Sequence, residues 1–380
     1  MQLVDLCVED LPTVTVSKRR LAGDFNEHDM RSVLKLVNGS SSPGYPWLFV
    51  ANSKKDLIDN HCQEILDCVA ARLEVLKRDD LPFNDPTELV KLNAVDPMRV
   101  FVKNEPHSRK KLIEERYRLI LSVSVCDEVI MRMLCGAQNE NEIALCSDLP
   151  VKPGIGFSLD SQVDKLCAAF APFDDLMSSD VSGWDWSFKL WQYRFDVERR
   201  IRLAKAEGTV WARILHNHML CMAMGLLITS DGTMIAQTQP GVMKSGMYNT
   251  SSTNSNCRVA LARLVGAKRA FAMGDDCVES YVEDAEEIYR LYGFPLSEYQ
   301  HCGKPGHQVV EFCSHKFIVD QNIAVPTNAL KGVYNLLNQK PLDRGFVVEA
   351  YTYLRHWPGL VQLKAFINER TELGLPPSSH

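Results

Sequence analysis

Among its 12 cysteines the sequence has no Cys-x-x-Cys pair. That removes the paired knuckle on which most structural zinc sites are built and leaves reduced thiols in a cytosolic protein as the expectation. A net positive charge is also missing. The 42 Lys and Arg against 48 Asp and Glu leave −6, so any contact with nucleic acid must use local basic patches rather than a global field. No long apolar run exists. Met219 to Thr229, at 11 residues, is the longest and falls short of the about 20 that a spanning helix needs. The opening MQLVDLCVEDLPTV carries acids and no basic stretch, unlike a secretory signal. Neither G-x-x-x-x-G-K-[ST] nor G-x-G-x-x-G occurs, so the common glycine-rich phosphate cradles are excluded. There is no internal repeat and no low-complexity stretch. What remains, 380 residues with 46% hydrophobic and 24% charged side chains, is globular, not disordered, collagen-like or rod-like, with room for two or three domains.

Residues 52–77 place Leu57, Ile58, Cys62, Ile65, Leu66, Val69, Leu73 and Leu76 at helical spacing, which predicts an amphipathic helix. Residues 191–206 and 209–224 read as helices separated by Gly208, and 250–265 as another. LLITSDGTMIA (226–236) and RAFAMGDDCVESYV (269–282) each read as a hairpin, two β-rich runs around a turn. A helix over 284–292 stops at Gly293, three helical segments follow near 328–337, 345–356 and 360–372, and GLPPSSH is a frayed tail. Strands mixed with helices outside strict βαβ alternation predict an α+β core with a helical C-terminal lobe.

Chemistry concentrates at two acidic places. In SSDVSGWDWS, Asp180 and Asp185 stand five apart, with Asp180 at the end of an expected strand. In Met273-Gly274-Asp275-Asp276, the glycine frees a tight turn that presents consecutive carboxylates at one end of a sheet. Asp180 beside Asp275 would be a cluster of like charges, which repel unless a cation lies between them. Hard divalent ions, Mg²⁺ or Mn²⁺, suit such oxygen ligands. The plainer reading is that turns favour Gly and Asp anyway. A second set, Cys302, His307, Cys313 and His315, has a spacing that could clasp zinc or could be ordinary reduced side chains.

Between the acidic segments lies PGVMKSGMYNTSSTNSN (240–256), with Ser245, Thr250 and Asn254 in the pattern S-G-x3-T-x3-N. Thr250, Ser251 and Ser252 offer an N-cap to the following helix. Thr250 and Asn254, four apart, share one helical face. Small hydroxyl and amide groups suit a ribose, or simply a polar helix start. Upstream, VKNEPHSRKKLIEERYRLI (102–120) is the densest positive run, holding Lys103, Arg109, Lys110, Lys111, Arg116 and Arg118. It reads as a clamp for an incoming triphosphate or as a solvated charged surface.

Taken in order, basic run, D-x4-D, S-G-x3-T-x3-N and G-D-D resemble the RNA-dependent RNA polymerases of positive-strand RNA viruses, most closely the sobemovirus–polerovirus group. SSPGYPW (41–47) is similar to the segment that admits the template, and EFCSH (311–315) to the primer grip, so the likeness spans 277 positions, 41 to 317. The resemblance implies a right-hand α+β fold: fingers over 1–120, palm over 121–190, inserted fingers over 191–236, palm again over 237–320 and a small helical thumb over 321–380. It implies that Asp180 and Asp275 bind two Mg²⁺ ions, for which Mn²⁺ can substitute, with Asp276 in support and the Val181 carbonyl as auxiliary ligand. Asp185 and Asn254 would read the ribose 2′-hydroxyl, with Ser245 and Thr250 nearby. Lys103, Arg109, Lys111, Arg116 and Arg118 would hold the triphosphate. Ser42, Gly44, Tyr45, Gly246 and Cys313 would contact RNA. Lys304, or else His301, would be the general acid. Implied partners are an RNA template and primer, nucleoside triphosphates, a genome-linked protein primer and other viral replication proteins, in host cytoplasm and recruited to membrane-associated complexes. In that reading Cys313 and His315 need no zinc.

Three other functions fit parts of the pattern. A reverse transcriptase shares the palm chemistry, but usually carries a bulky gate residue and lacks S-G-x3-T-x3-N. A replication scaffold would bind RNA without divalent-dependent turnover. A metal-dependent phosphohydrolase would release phosphate without a template.

Overall fold

A computed structural model describes residues 2–103, 105, 109–338 and 343–370. The tail expected at GLPPSSH lies outside these described residues, as do Asn104 and residues 106–108 of the basic run and the side chain of Lys111. Three sheets and a shell of helices make up the chain, the α+β architecture expected from the sequence.

The central sheet is antiparallel, in the order Ala270–Met273, Asp276–Ser280, Leu176–Val181, Leu296–His301. Its two faces are covered by different layers, and the period of two along each strand sorts the side chains. Ala270 and Ala272 pack with Val259 and Ala262 of helix Thr250–Val265. Phe271 and Met273 turn to the opposite side, onto Phe170 of helix Asp160–Phe170 and onto Phe312 and Phe317. Those last two belong to a three-stranded antiparallel sheet, Val309–Phe312, His315–Ile318 and Ile323–Pro326.

A second four-stranded sheet lies in the N-terminal half. Leu119–Ser122, Met98–Val102, Leu226–Ile228 and Met234–Ala236 follow in that order, and the middle pair is parallel. The largest core joins helices Lys54–Val75, Val125–Ala144, Leu190–Ala204 and Val210–Ala223. Ser53, Ser124 and Thr209 cap three of them by accepting a backbone N–H three residues on, the exchange that satisfies an orphan donor at a helix start. Helices Ala329–Asn338, Arg344–Tyr353 and Leu360–Arg370 form a separate small cluster around Leu336, Val347, Leu354 and Leu363. Among the described residues no helix is long and apolar enough to cross a membrane.

The N-cap expected at Thr250–Ser252 is not what forms. Asn249 is the flanking residue and makes no side-chain cap. The Thr250 hydroxyl instead donates back to the carbonyls of Met247 (2.7 Å) and Lys244 (3.0 Å). Backward bonding of this kind, common for threonine, closes the preceding loop onto the helix.

Candidate active site

Asp180 is the penultimate residue of the strand Leu176–Val181, where its register partner is Glu298 and the ladder shifts before Val181. One Asp180 oxygen accepts the Ser297 hydroxyl at 2.6 Å. On the neighbouring hairpin Met273 pairs with Asp276, leaving Gly274 and Asp275 as a two-residue turn. Gly274 has φ +64°, a conformation that costs glycine nothing. Its N–H donates to Ser255 Oγ at 2.9 Å, so the turn is docked on helix Thr250–Val265.

The acids repel one another. Burial pushes Asp276 up to about 7, with Asp275, Asp180 and Glu311 adding to the push. Burial and Asp275 raise Asp185 to about 6, while the Asn254 amide and Arg118 pull it back. Asp275 is also pushed up, by surrounding protein and by Asp180. It keeps more than a third of its surface open. Glu298 is raised by burial, Glu311 and Asp180. A cleft of about 190 Å³ is lined by Asp180, Asp276, Glu298, Glu311, Ser314 and Thr327, among others.

Among the described residues no three His, Cys, Asp or Glu side chains are drawn tightly enough to hold a metal ion. The donor chemistry nevertheless fits hard divalent cations: all are carboxylate oxygens, and Asp180, Asp275 and Glu311 raise neighbouring acids by charge. Cys302, His307, Cys313 and His315 do not gather into a metal-holding group among the described residues. Burial raises both the Cys302 and Cys313 thiols. Cys302 Sγ lies 3.3 Å from Ser178 Oγ, and the His315 ring is engaged with the Cys313 carbonyl.

Asp185 sits in the short helix Trp184–Ser187, opened by Gly183 at φ +63°. The Asn254 amide donates to Asp185 Oδ1 at 3.3 Å, so these two are brought together. Ser245 accepts the Leu121 N–H at 3.1 Å and the Gly246 N–H donates to the Leu121 carbonyl at 2.9 Å. A Cβ on Gly246 would meet that carbonyl at 2.5 Å. Thr250 spends its hydroxyl on backbone carbonyls.

Of the basic run, Arg118 reaches the acids electrostatically, lowering both Asp185 and Asp275. Glu105 gathers Lys103 (3.2 Å), Lys331 (3.7 Å) and Arg118 (3.8 Å). Arg116 turns to Glu114, and Arg109 is exposed on helix Arg109–Ile113. Gly44 lies against the start of helix Val125–Ala144, where a Cβ on it would strike the Val123 carbonyl at 2.5 Å; Ser42 Oγ accepts the Gly44 N–H at 3.3 Å and the Tyr45 ring packs on Phe49. Cys313 occupies the tight turn before His315–Ile318 at φ +49°, and its backbone N–H bonds Asp276.

Lys304 requires a correction. The Cys302 N–H donates to the Leu176 carbonyl at 2.8 Å, so the chain leaves the sheet at the end of the Asp180 strand remote from Asp180. Asp180 lies four residues further along, about 13 Å at roughly 3.3 Å per residue. His301, whose ring meets the Asp174 carbonyl at 3.0 Å, is at the same remote end. The structure brings neither residue to the carboxylates.

Several site residues carry no motif. Glu298 sits on a strand with weak alternation and Glu311 on the short strand Val309–Phe312. Lys244 is fully buried, with its ammonium donating to the carbonyls of Gly241 (2.8 Å) and Val242 (2.9 Å), and burial pushes it down to about 7. It thereby secures Val242 at φ +55°, a costly conformation for a β-branched residue. Val242 and Met243 donate in turn to the carbonyls of Phe188 and Asp185, both at 2.7 Å. The only advance signal was that Lys244 stands beside the Ser-Gly pair.

The family described as Viral RNA-directed RNA-polymerase matches residues 15–329. Replicase polyprotein P2AB of Southern cowpea mosaic virus is 41% identical over 315 residues, 80% of this chain and 32% of the polyprotein. Protein P1-P2 of Potato leafroll virus is 34% identical over 351 residues, 87% of this chain and 32% of that protein. The chain thus spans about a third of the length of these relatives. Among solved structures, a Sicinivirus 3Dpol RNA dependent RNA polymerase superposes with a TM-score of 0.61 at 15% identity, over 87% of this chain and 71% of that one. This last likeness is one of fold.

Proposed function

Because the chain belongs to the viral RNA-directed RNA-polymerase family, we propose that it carries out template-directed nucleotidyl transfer in replicating and transcribing a positive-strand RNA genome. The observation that carries this reading is the convergence of Asp180, Asp275 and Asp276 from two strands beside the Asp185–Asn254 pair, within reach of Arg118. Asp180 and Asp275 would hold the divalent ions, with Asp276 and the Val181 carbonyl in support. Two such ions, Mg²⁺ or Mn²⁺, supply when bound the charge that activates a primer 3′-hydroxyl and neutralises departing pyrophosphate. The protein's own share is positioning and electrostatics. Arg118, with Lys103, holds the triphosphate, while Asp185 and Asn254 meet the ribose 2′-hydroxyl as acceptor and donor. Template and primer RNA, nucleoside triphosphates, a genome-linked protein primer and other replication proteins are the partners in this proposal. Its setting is host cytoplasm at membrane-associated complexes. The division into fingers, inserted fingers, two palm segments and thumb, with the boundaries given above, belongs to the same reading.

A primer-extension assay with Mg²⁺ and Mn²⁺, on ribo- and deoxynucleotides, tests it. Template-dependent incorporation of ribonucleotides is expected; phosphate release without a template, or RNA binding without turnover, would sink it. Arg118→Ala should raise the apparent KM for nucleotides about ten-fold, the worth of one charge-assisted hydrogen bond of roughly 1.5 kcal/mol. Unaltered kinetics would return this arginine to the solvated surface. Asn254→Ala should narrow the preference for ribo- over deoxynucleotides by about ten-fold or more, since a site built to bond a hydroxyl penalises its loss. An unchanged ratio would remove Asn254 from sugar reading.

A further inference from the structure

Trp184 is 2% exposed, packed against Phe188 and Phe294 with ring centroids 5.8 and 5.7 Å away. Its indole N–H donates to Asn254 Oδ1 at 3.0 Å. Asn254, itself 5% exposed, donates from Nδ2 to Asp185 Oδ1. We infer that Trp184 is a positioning residue for sugar choice: its N–H locks the Asn254 amide with the NH₂ group toward Asp185 and the nucleotide. This rests on the reading of Asp185 and Asn254 as the pair that meets the 2′-hydroxyl.

The chemistry of the three groups enforces one orientation. An asparagine amide is nearly symmetric in shape, so packing alone cannot tell its oxygen from its nitrogen, and the hydrogen-bond network decides. The indole N–H can only donate, so it must face the amide oxygen. An ionised Asp185 can only accept, so it must face the amide nitrogen. A turned amide would oppose N–H to N–H on one side and oxygen to carboxylate on the other. With the amide locked, one Asn254 N–H is left over beside an acceptor-only carboxylate.

A hydroxyl both donates and accepts, so it can satisfy both at once. A deoxyribose satisfies neither and leaves buried polar groups unpaired, which is the costly outcome. Trp184 therefore acts on the sugar without touching it. A phenylalanine in its place would fill most of the same volume and lack the donor.

The test compares Trp184→Phe, Asn254→Ala and the double variant in single-nucleotide primer extension with ribo- and deoxynucleotides. Trp184→Phe should lower the ribo-to-deoxy ratio of kcat/KM about ten-fold. The loss should lie mainly in KM for ribonucleotides, with kcat/KM for deoxynucleotides little changed. In the double variant the ratio should match that of Asn254→Ala alone, because the indole acts only through the amide. Trp184→Phe with an unchanged ratio, where Asn254→Ala lowers it, overturns the inference and leaves the sugar-reading pair standing. If Asn254→Ala also leaves the ratio unchanged, the underlying reading falls instead. Additive losses in the double variant also overturn the inference. Should Trp184→Phe not fold, benzothienylalanine at position 184, with sulfur where the indole has N–H, keeps the shape and removes the donor, and the same two outcomes decide.

Discussion

Asp275→Ala should abolish nucleotide addition and yet unfold no earlier than the parent protein in metal-free buffer. Asp275 raises both Asp185 and Asp276 by charge, so deleting it relieves repulsion that the fold otherwise tolerates. Divalent ions should separate the two proteins. A ligand that binds only the native state stabilises it by about 2.7 kcal/mol at a hundred times its Kd. Mn²⁺ should therefore raise the Tm of the parent and hardly move that of the variant. Extension by a well-folded variant, or equal Mn²⁺ shifts in both, would refute the role given to Asp275.

The same groups make the metal-free protein sensitive to pH. A carboxyl raised in the folded state contributes stability that is complete below its unfolded pKa and is lost as pH rises through the folded value. For Asp185 and Asp276, raised to about 6 and about 7, the loss falls between about pH 4 and pH 7. Thermal midpoints of metal-free protein should decline across the upper part of that window, and Mn²⁺ should reduce the decline. A flat profile with identical slopes would contradict the mutual repulsion.

The second large effect is expected at a buried network that does not line the cleft. Asp196 is fully buried and accepts from Arg199 (2.5 Å), Arg200 (2.9 Å) and the Thr253 hydroxyl (2.9 Å). Burial pushes this carboxyl up, but the two guanidiniums pull it further down, to about 2. Glu142 is the other acid of the set, paired with Arg199 at 2.6 Å and accepting the Ser252 hydroxyl at 2.5 Å. Asp196→Ala strands two buried guanidiniums against one remaining carboxylate. Breaking a buried pair in this way costs about 3–5 kcal/mol, read as a fall in the urea midpoint. The loss should extend to function, because Ser252 and Thr253 tie the network to the helix that carries Asn254. A variant as stable as the parent would show that solvent enters to hydrate the arginines.

The long helices and the Gly-Asp-Asp hairpin are legible because their signals are local: apolar periodicity, glycine punctuation, a turn that only certain residues allow. Strand Leu176–Val181 is less so. Both of its faces are covered, and Ser178 and Ser179 are buried in it, so no alternation marks it. Strand Leu296–His301 is largely exposed and polar and passes for a loop. Spacing offers Lys304 as a neighbour of the acids because it cannot say at which end of an antiparallel strand the next loop emerges. Arg199 and Arg200 stand in the run 191–206, which reads as a helix, and only tertiary packing shows them to be buried. The acids of the motifs could be named in advance; their supports, Lys244, Trp184 and Ser297, are ordinary residues made important by what lies across the fold.

The Leu121 backbone, stitched to Ser245 and Gly246 by one bond in each direction, ties together two recognition tasks that the chain sequence keeps far apart. Arg118 stands three residues before Leu121, and Asn254 eight residues after Gly246. On the function proposed above, any displacement of the strand that carries Arg118 would be passed through these two bonds to the loop that leads to Asn254. Affinity for the triphosphate and choice of sugar would then share one lever, and a lineage that relaxed its grip would become a less discriminating copyist by the same stroke.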